Sequence, residues 1–115
     1  CMIQRSGDML TASGAGGINE IQYAALLMMI ARHTGYAPGV FTHFVANEQI
    51  YNRHFEAANE MRKRAEIRSG QKHFEIEPYL KLNWQKHDFY EMTIDDFEMK
   101  FYEPIKPQLK LELGI

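Results

Sequence analysis

An arginine followed by a serine, Arg5-Ser6 within "QRSGDMLTA", sets a forked cation beside a hydroxyl. That combination suits a phosphomonoester, although the same dipeptide is also an ordinary polar end to a strand. Asn19 opens the most apolar segment of the chain. It can cap a helix, or its amide can donate and accept at one edge, as reading a nucleobase requires. Gln49 and Tyr51 lie two apart, so on a strand their side chains share a face, which also reads as a polar cover on a sheet edge. His33, His43, His54, His73 and His87 show no HExxH or comparable spacing, so no metal site is expected. No GxGxxG or P-loop pattern is present. Arg62, Lys63, Arg64 and Arg68 could touch RNA, but a solvated helix end accounts for them, since basic residues favour helix C-termini.

These residues need a frame. With 115 residues the chain can build one domain or part of one around a modest core. Apolar residues make up 45% and charged residues 24%, with a net charge of −2. That balance argues against a dedicated nucleic-acid or anionic-membrane binder. The single cysteine, Cys1, cannot form an internal disulfide, which fits a reducing cytoplasm. No signal-type segment opens the sequence, and the run Ile21 to Ala31 is too short to span a bilayer.

Cys1 to Arg5 predicts a short buried strand, and "SGAGG", with three glycines, a loop. "INEIQYAALLMMIARHTG" predicts a helix started by Asn19 and stopped by Gly35. From Tyr23 to Ala31 every residue is apolar or aromatic, so the helix is expected to be enclosed on all sides. "APG" turns the chain, and "VFTHFVAN" predicts a strand with Val40, Thr42, Phe44 and Ala46 on one face. Asn52 is placed to cap a second helix running to about Arg64, with Phe55, Ala58 and Met61 inward and Glu60 paired to Arg64. After a "RSGQK" loop, "HFEIE", "YLKLNW" and "FEMKFY" alternate as strands, aligning Leu80, Leu82 and Trp84, and Phe97, Met99 and Phe101. The fold class is therefore mixed α/β (α+β), with antiparallel or mixed strands around a buried central helix.

Five stretches stand in order along the chain: "QRSGDMLTA", Asn19 with "QYAALLMMIA", "GYAPGVFTHFVANEQIYNRH", "IDDFEMKFYEP" and the terminal "LKLELGI". Together they resemble the C-terminal part of thymidylate synthase, over residues 1–115, with the LTA and QYA of a bacterial branch. The resemblance implies an incomplete thymidylate synthase-like fold and the reductive methylation of dUMP to dTMP, with 5,10-methylenetetrahydrofolate as carbon donor and hydride source. It implies that Arg5 and Ser6 hold the 5′-phosphate, with Gly7 and Asp8 contacting nucleotide and folate. Asn19 would read the uracil edge and Tyr51, with Gln49, the deoxyribose. Asp8, Leu10, Leu113, Gly114 and Ile115 would form the folate side, with a tail that is mobile until folate binds. A homodimer is implied, without membrane or nucleic-acid partners.

Three departures from that family qualify the resemblance. Gln49 stands where the family has His, and it cannot carry charge. "SGAGG" is longer than the usual connection, which bears on the folate side. The family's nucleophilic cysteine lies upstream of the Gln-Arg-Ser motif, so Cys1 is not it. The chain is accordingly expected to be the C-terminal part of the domain, inactive alone and prone to self-association. The alternatives are a pyrimidine nucleotide hydroxymethylase acting on dCMP or dUMP, or a non-catalytic binding or assembly domain. For the first, an Asp in place of Asn19 would suit cytosine better.

Overall fold

The computed structural model describes residues 1–69 and 76–112. Two short strands, β1 (Met2–Gln4) and β2 (Gly7–Asp8), lead into helix α1 (Ile18–Thr34). Strands β3 (His43–Val45) and β4 (Glu48–Gln49) follow, then helix α2 (Phe55–Ser69). An antiparallel pair, β5 (Tyr79–Leu82) with β6 (Phe97–Lys100), comes last.

β1 pairs with β3 and β2 with β4, both in parallel. The two pairs share one register, from Met2 opposite His43 to Asp8 opposite Gln49. The Gly7 N–H donates to the Asn47 carbonyl (3.1 Å) and the Met9 N–H to the Gln49 carbonyl (2.9 Å), which carries the ladder past the bend at Arg5-Ser6. Parallel neighbours need a crossover, and α1 supplies it. The class is the mixed one predicted, built from small sheets beside helices.

The glycine at the end of α1 behaves as predicted. Gly35 is left-handed (φ 78°), and its N–H donates to the Ala31 and Arg32 carbonyls. The start differs. Gly17 (φ 66°) occupies the N-cap, and Asn19 lies one residue inside the first turn with no capping bond. Its amide is therefore available for another partner.

The expected enclosure of α1 is not met. Only Ala31 is buried, while Ile18 is 61% exposed and Ile21, Leu26 and Ile30 are also open. The helix packs against β5 and the 3-10 turn Phe89–Glu91. An apolar composition says that a helix needs cover; it does not supply the covering element.

The first strand is likewise not buried, with Ile3 76% exposed. On β3 the covered face is His43 and Val45, whereas Val40, Thr42, Phe44 and Ala46 lie exposed. In α2 the start also shifts. A 3-10 turn, Asn52–His54, runs into the helix and Tyr51 takes the cap position, so Asn52 does not. The helix continues past Arg64, where Glu60–Arg64 (2.7 Å) and Arg62–Glu66 (2.5 Å) each add an i,i+4 pair. Ala58 and Met61 are half-buried, and Phe55 is exposed.

Of "HFEIE", residues 73–75 lie outside the described residues, and Ile76 and Glu77 form no strand. Leu80 and Leu82 alternate inward on β5, but Trp84 falls past its end and is exposed. Phe97 is half-buried on β6, with Met99 and Phe101 exposed. Among the described residues the buried apolar core is Leu10, Ala31, Leu82 and Met92.

Candidate functional site

Arg5 and Ser6 occupy the exposed bend between β1 and β2. No hydrogen bond or ion pair joins the Arg5 guanidinium to another described residue. A cation with five donors and no protein partner is open to an anion. Gly7 follows in a tight place. A Cβ there would stand 2.1 Å from Ser13 Oγ, and Ser13 is fully buried with its hydroxyl on Glu48 Oε1 (2.5 Å).

Behind the bend, polar side chains from β1, α1 and β3 converge. Gln4 Nε2 donates to the Ser6 carbonyl (2.7 Å), and Gln4 Oε1 accepts from Asn19 Nδ2 (3.0 Å). His43 Nε2 lies 3.2 Å from the same Gln4 oxygen. His43 Nδ1 faces Glu20 Oε1 at 2.6 Å, and that oxygen also accepts the Gly14 N–H (3.0 Å). Asn19 Oδ1 and its second N–H have no partner among the described residues.

Glu20 Oε2 is buried with no hydrogen-bond partner among the described residues. Burial pushes the Glu20 carboxyl pKa up, but the Glu20 and Gly14 backbone N–H groups, with His43, outweigh it and hold it below the ordinary value. The loop predicted at "SGAGG" is thus tied to α1 through Gly14.

Asp8 faces its own turn. Its Oδ1 accepts the Leu10 N–H (3.2 Å) and its Oδ2 the Thr11 hydroxyl, a local arrangement common for Asp at turns. Leu10 is buried beneath it, at the edge of an apolar groove of about 580 Å³ shared with Met9, Ile50 and Met61. His54, 1% exposed, sets Nδ1 3.9 Å from Asp8 Oδ1, too far to bond, and Nε2 2.7 Å from the Glu112 carbonyl. Tyr51 meets His54 edge-on, with ring centroids 5.7 Å apart, and Gln49 is exposed on β4. Leu113, Gly114 and Ile115 lie outside the described residues.

The structure therefore links Asn19 to the Ser6 backbone through Gln4, leaves Arg5 exposed on the adjoining bend, and sets Asp8 and Tyr51 around His54. Sequence reasoning did not select Gln4, Glu20, His43 or His54 for a role. Gln4 sits inside the quoted motif. The other three act through partners distant in sequence, which local pattern does not reveal.

The fold and this cluster define a mixed helix-and-sheet domain with a polar, partly unpaired site at the mouth of its crossover helix. The thymidylate synthase family matches residues 1–115. Thymidylate synthase of Lactococcus lactis subsp. cremoris (strain SK11) is 46% identical over 115 residues, which is 99% of this chain and 38% of that protein. Thymidylate synthase of Streptococcus mutans serotype c is 44% identical, with the same coverage. Among solved structures, thermostable thymidylate synthase A from Bacillus subtilis superposes with a TM-score of 0.66 at 31% identity, covering 95% of this chain and 36% of that one. The chain belongs to the thymidylate synthase family. It spans 38% of the length of these curated relatives.

Proposed function

We propose that this chain is the C-terminal part of a thymidylate synthase, cytoplasmic and homodimeric when whole, and that it carries much of the nucleotide site. The reaction is the reductive methylation of dUMP to dTMP. The observation that carries this reading is the Asn19 amide, held by Gln4 and with a donor and an acceptor that have no partner among the described residues, one bend away from Arg5, which likewise has none among them. In the proposed roles, Arg5 and Ser6 hold the 5′-phosphate and Gly7 lets the backbone come close. Asn19 donates to uracil O4 and accepts from N3–H. Tyr51 and Gln49 face the deoxyribose.

5,10-Methylenetetrahydrofolate, the co-substrate, supplies the carbon and the hydride. The Asp8 carboxylate uses one lone pair of each oxygen within its own turn and keeps the others, which suits a donor on that ligand. Leu10 and residues 113–115 would complete that side. Covalent attack on the pyrimidine needs a thiolate. Cys1 is exposed at the foot of β1 and is not assigned that role, so the 115-residue chain is expected to bind without turning over.

Two measurements test this reading. Titrating the labelled chain with dUMP should shift the Arg5, Ser6 and Asn19 resonances, whereas inorganic phosphate should shift only the first two. A dUMP response no different from that of phosphate contradicts it. For the whole protein, a covalent ternary complex with 5-fluoro-dUMP and the folate is expected. Its absence, with both ligands shown to bind, would exclude thymidylate synthase chemistry.

A further inference from the structure

Resting on the assignment of Asp8 to the folate side, we infer that Ser13 and Glu48 are a positioning pair, whose hydrogen bond anchors the turn after β2 to β4 and so aims the Asp8 carboxylate at the co-substrate. A carboxylate at the end of a strand can rotate about two side-chain bonds. Presenting it to a ligand in one orientation requires something that fixes both the side chain and the backbone turn that carries it.

The side chain is fixed from within the turn. Asp8 Oδ1 accepts the Leu10 N–H (3.2 Å) and Oδ2 the Thr11 hydroxyl. The Asp8 carbonyl accepts the Ala12 and Ser13 N–H groups (2.9 and 3.0 Å), and the Met9 carbonyl accepts that of Gly16 (2.9 Å). The carboxylate therefore goes where residues 9–16 go. Those bonds link near neighbours, so they shape the segment without setting its tilt against the sheet.

The tilt is set by bonds to other elements. Toward α1, the Gly14 N–H donates to Glu20 Oε1 (3.0 Å), an exposed bond for which water competes, and the Asn19 N–H donates to the Ala12 carbonyl (2.8 Å). Toward the sheet, the Met9 N–H on the Gln49 carbonyl (2.9 Å) holds the near end of the segment. Its far side is held by Ser13 Oγ, which donates to Glu48 Oε1 (2.5 Å) across 35 positions of sequence. Ser13 is fully buried, and a hydroxyl on a carboxylate is among the stronger hydrogen bonds. Gly7 makes the reach possible. It stands opposite Glu48 in the register, and a Cβ on it would lie 2.1 Å from Ser13 Oγ, so the hydroxyl crosses β2 through space that a side chain would fill.

The test uses the whole protein, with KM for 5,10-methylenetetrahydrofolate and KM for dUMP measured separately. Ser13→Ala and Glu48→Leu should each raise the folate KM roughly tenfold, the effect of one lost hydrogen bond, with the dUMP KM unchanged. Glu48→Gln keeps an oxygen for the hydroxyl and should stay near the original. The double variant should be no worse than either single one, because the two residues act as a unit. A pair that merely supported the fold would move both KM values together. An unchanged dUMP KM reports that a variant is folded, and if Glu48→Leu fails to fold, Ser13→Ala carries the test alone. If Ser13→Ala keeps the original folate KM, or raises both KM values equally, the inference is overturned and the nucleotide site stands. In the 115-residue chain, amide exchange at Leu10 and Ala12 should quicken in Ser13→Ala, and exchange as slow as in the original chain also overturns it. Asp8→Asn is the control: if it leaves the folate KM unchanged, the assignment of Asp8 to the folate itself falls.

Discussion

The Glu20 carboxyl is the residue whose environment has the clearest thermodynamic consequence. Its pKa is held below the ordinary 4.5 because the backbone N–H groups and His43 outweigh its burial. A carboxylate depressed on folding adds stability above its unfolded pKa, and that contribution is lost as pH falls through the folded value. Urea midpoints followed from neutral pH down past 4.5 should therefore fall, and Glu20→Gln should flatten that limb. An equal acid limb in the variant would assign the loss to other groups, Asp96 first, whose carboxyl is also held low by the Thr93 N–H. Packing makes a second expectation at this scale. A Cβ on Gly7 would lie 2.1 Å from Ser13 Oγ, and Ser13 cannot yield without releasing Glu48. Gly7→Ala should cost about 1–3 kcal/mol, read as a lowered urea midpoint.

Among the elements, the C-terminal segment is attached by carbonyl acceptors to α2 and to the 3-10 turn that precedes it. Arg64 Nη1 donates to the Pro107 carbonyl (2.7 Å) and His54 Nε2 to that of Glu112 (2.7 Å). His54→Leu fills the same buried space without a donor, so heteronuclear NOE values of residues 109–112 should drop toward those of a free tail. Values unchanged from the original chain would show that Arg64 and packing suffice. This latch also marks the boundary of what sequence can reveal. Gly35, the α1 helix, the Glu60–Arg64 pair and the alternation of Leu80 and Leu82 were legible because each depends on neighbours within a turn or a strand. Asn19 was legible as a candidate from its chemistry, but its release from capping depended on Gly17 taking a left-handed conformation first. His43 and His54 were not legible, because their partners Glu20 and Glu112 lie far away along the chain. Burial was the weakest inference of all: the pattern of β3 says which residues alternate, and only the packing says which face is covered.

At the scale of the whole molecule, the surface is too large for the mass. A folded monomer of 13.4 kDa is expected to expose about 6,500 Å², whereas this chain exposes 9283 Å². Its radius of gyration, 16.5 Å, likewise exceeds the roughly 13 Å of a compact domain of this length. The excess is on the scale of one side of the largest obligate interfaces, and it is apolar in the places that the fold leaves open: Ile21 and Ile30 on α1, Ile3 on β1, Phe44 on β3. The chain spans 38% of its relatives' length, so a longer partner of the same family would offer the missing cover. Without one, copies of the chain are left to cover each other. Sedimentation velocity at micromolar concentration should therefore show species heavier than 13.4 kDa that grow with concentration. Replacing Leu26 and Ile30, exposed one turn apart on α1, together with Glu should shift the distribution toward monomer, because charge on that face resists desolvation. A single, concentration-independent monomer peak for the original chain would mean that the open face of α1 is stable in water as it stands.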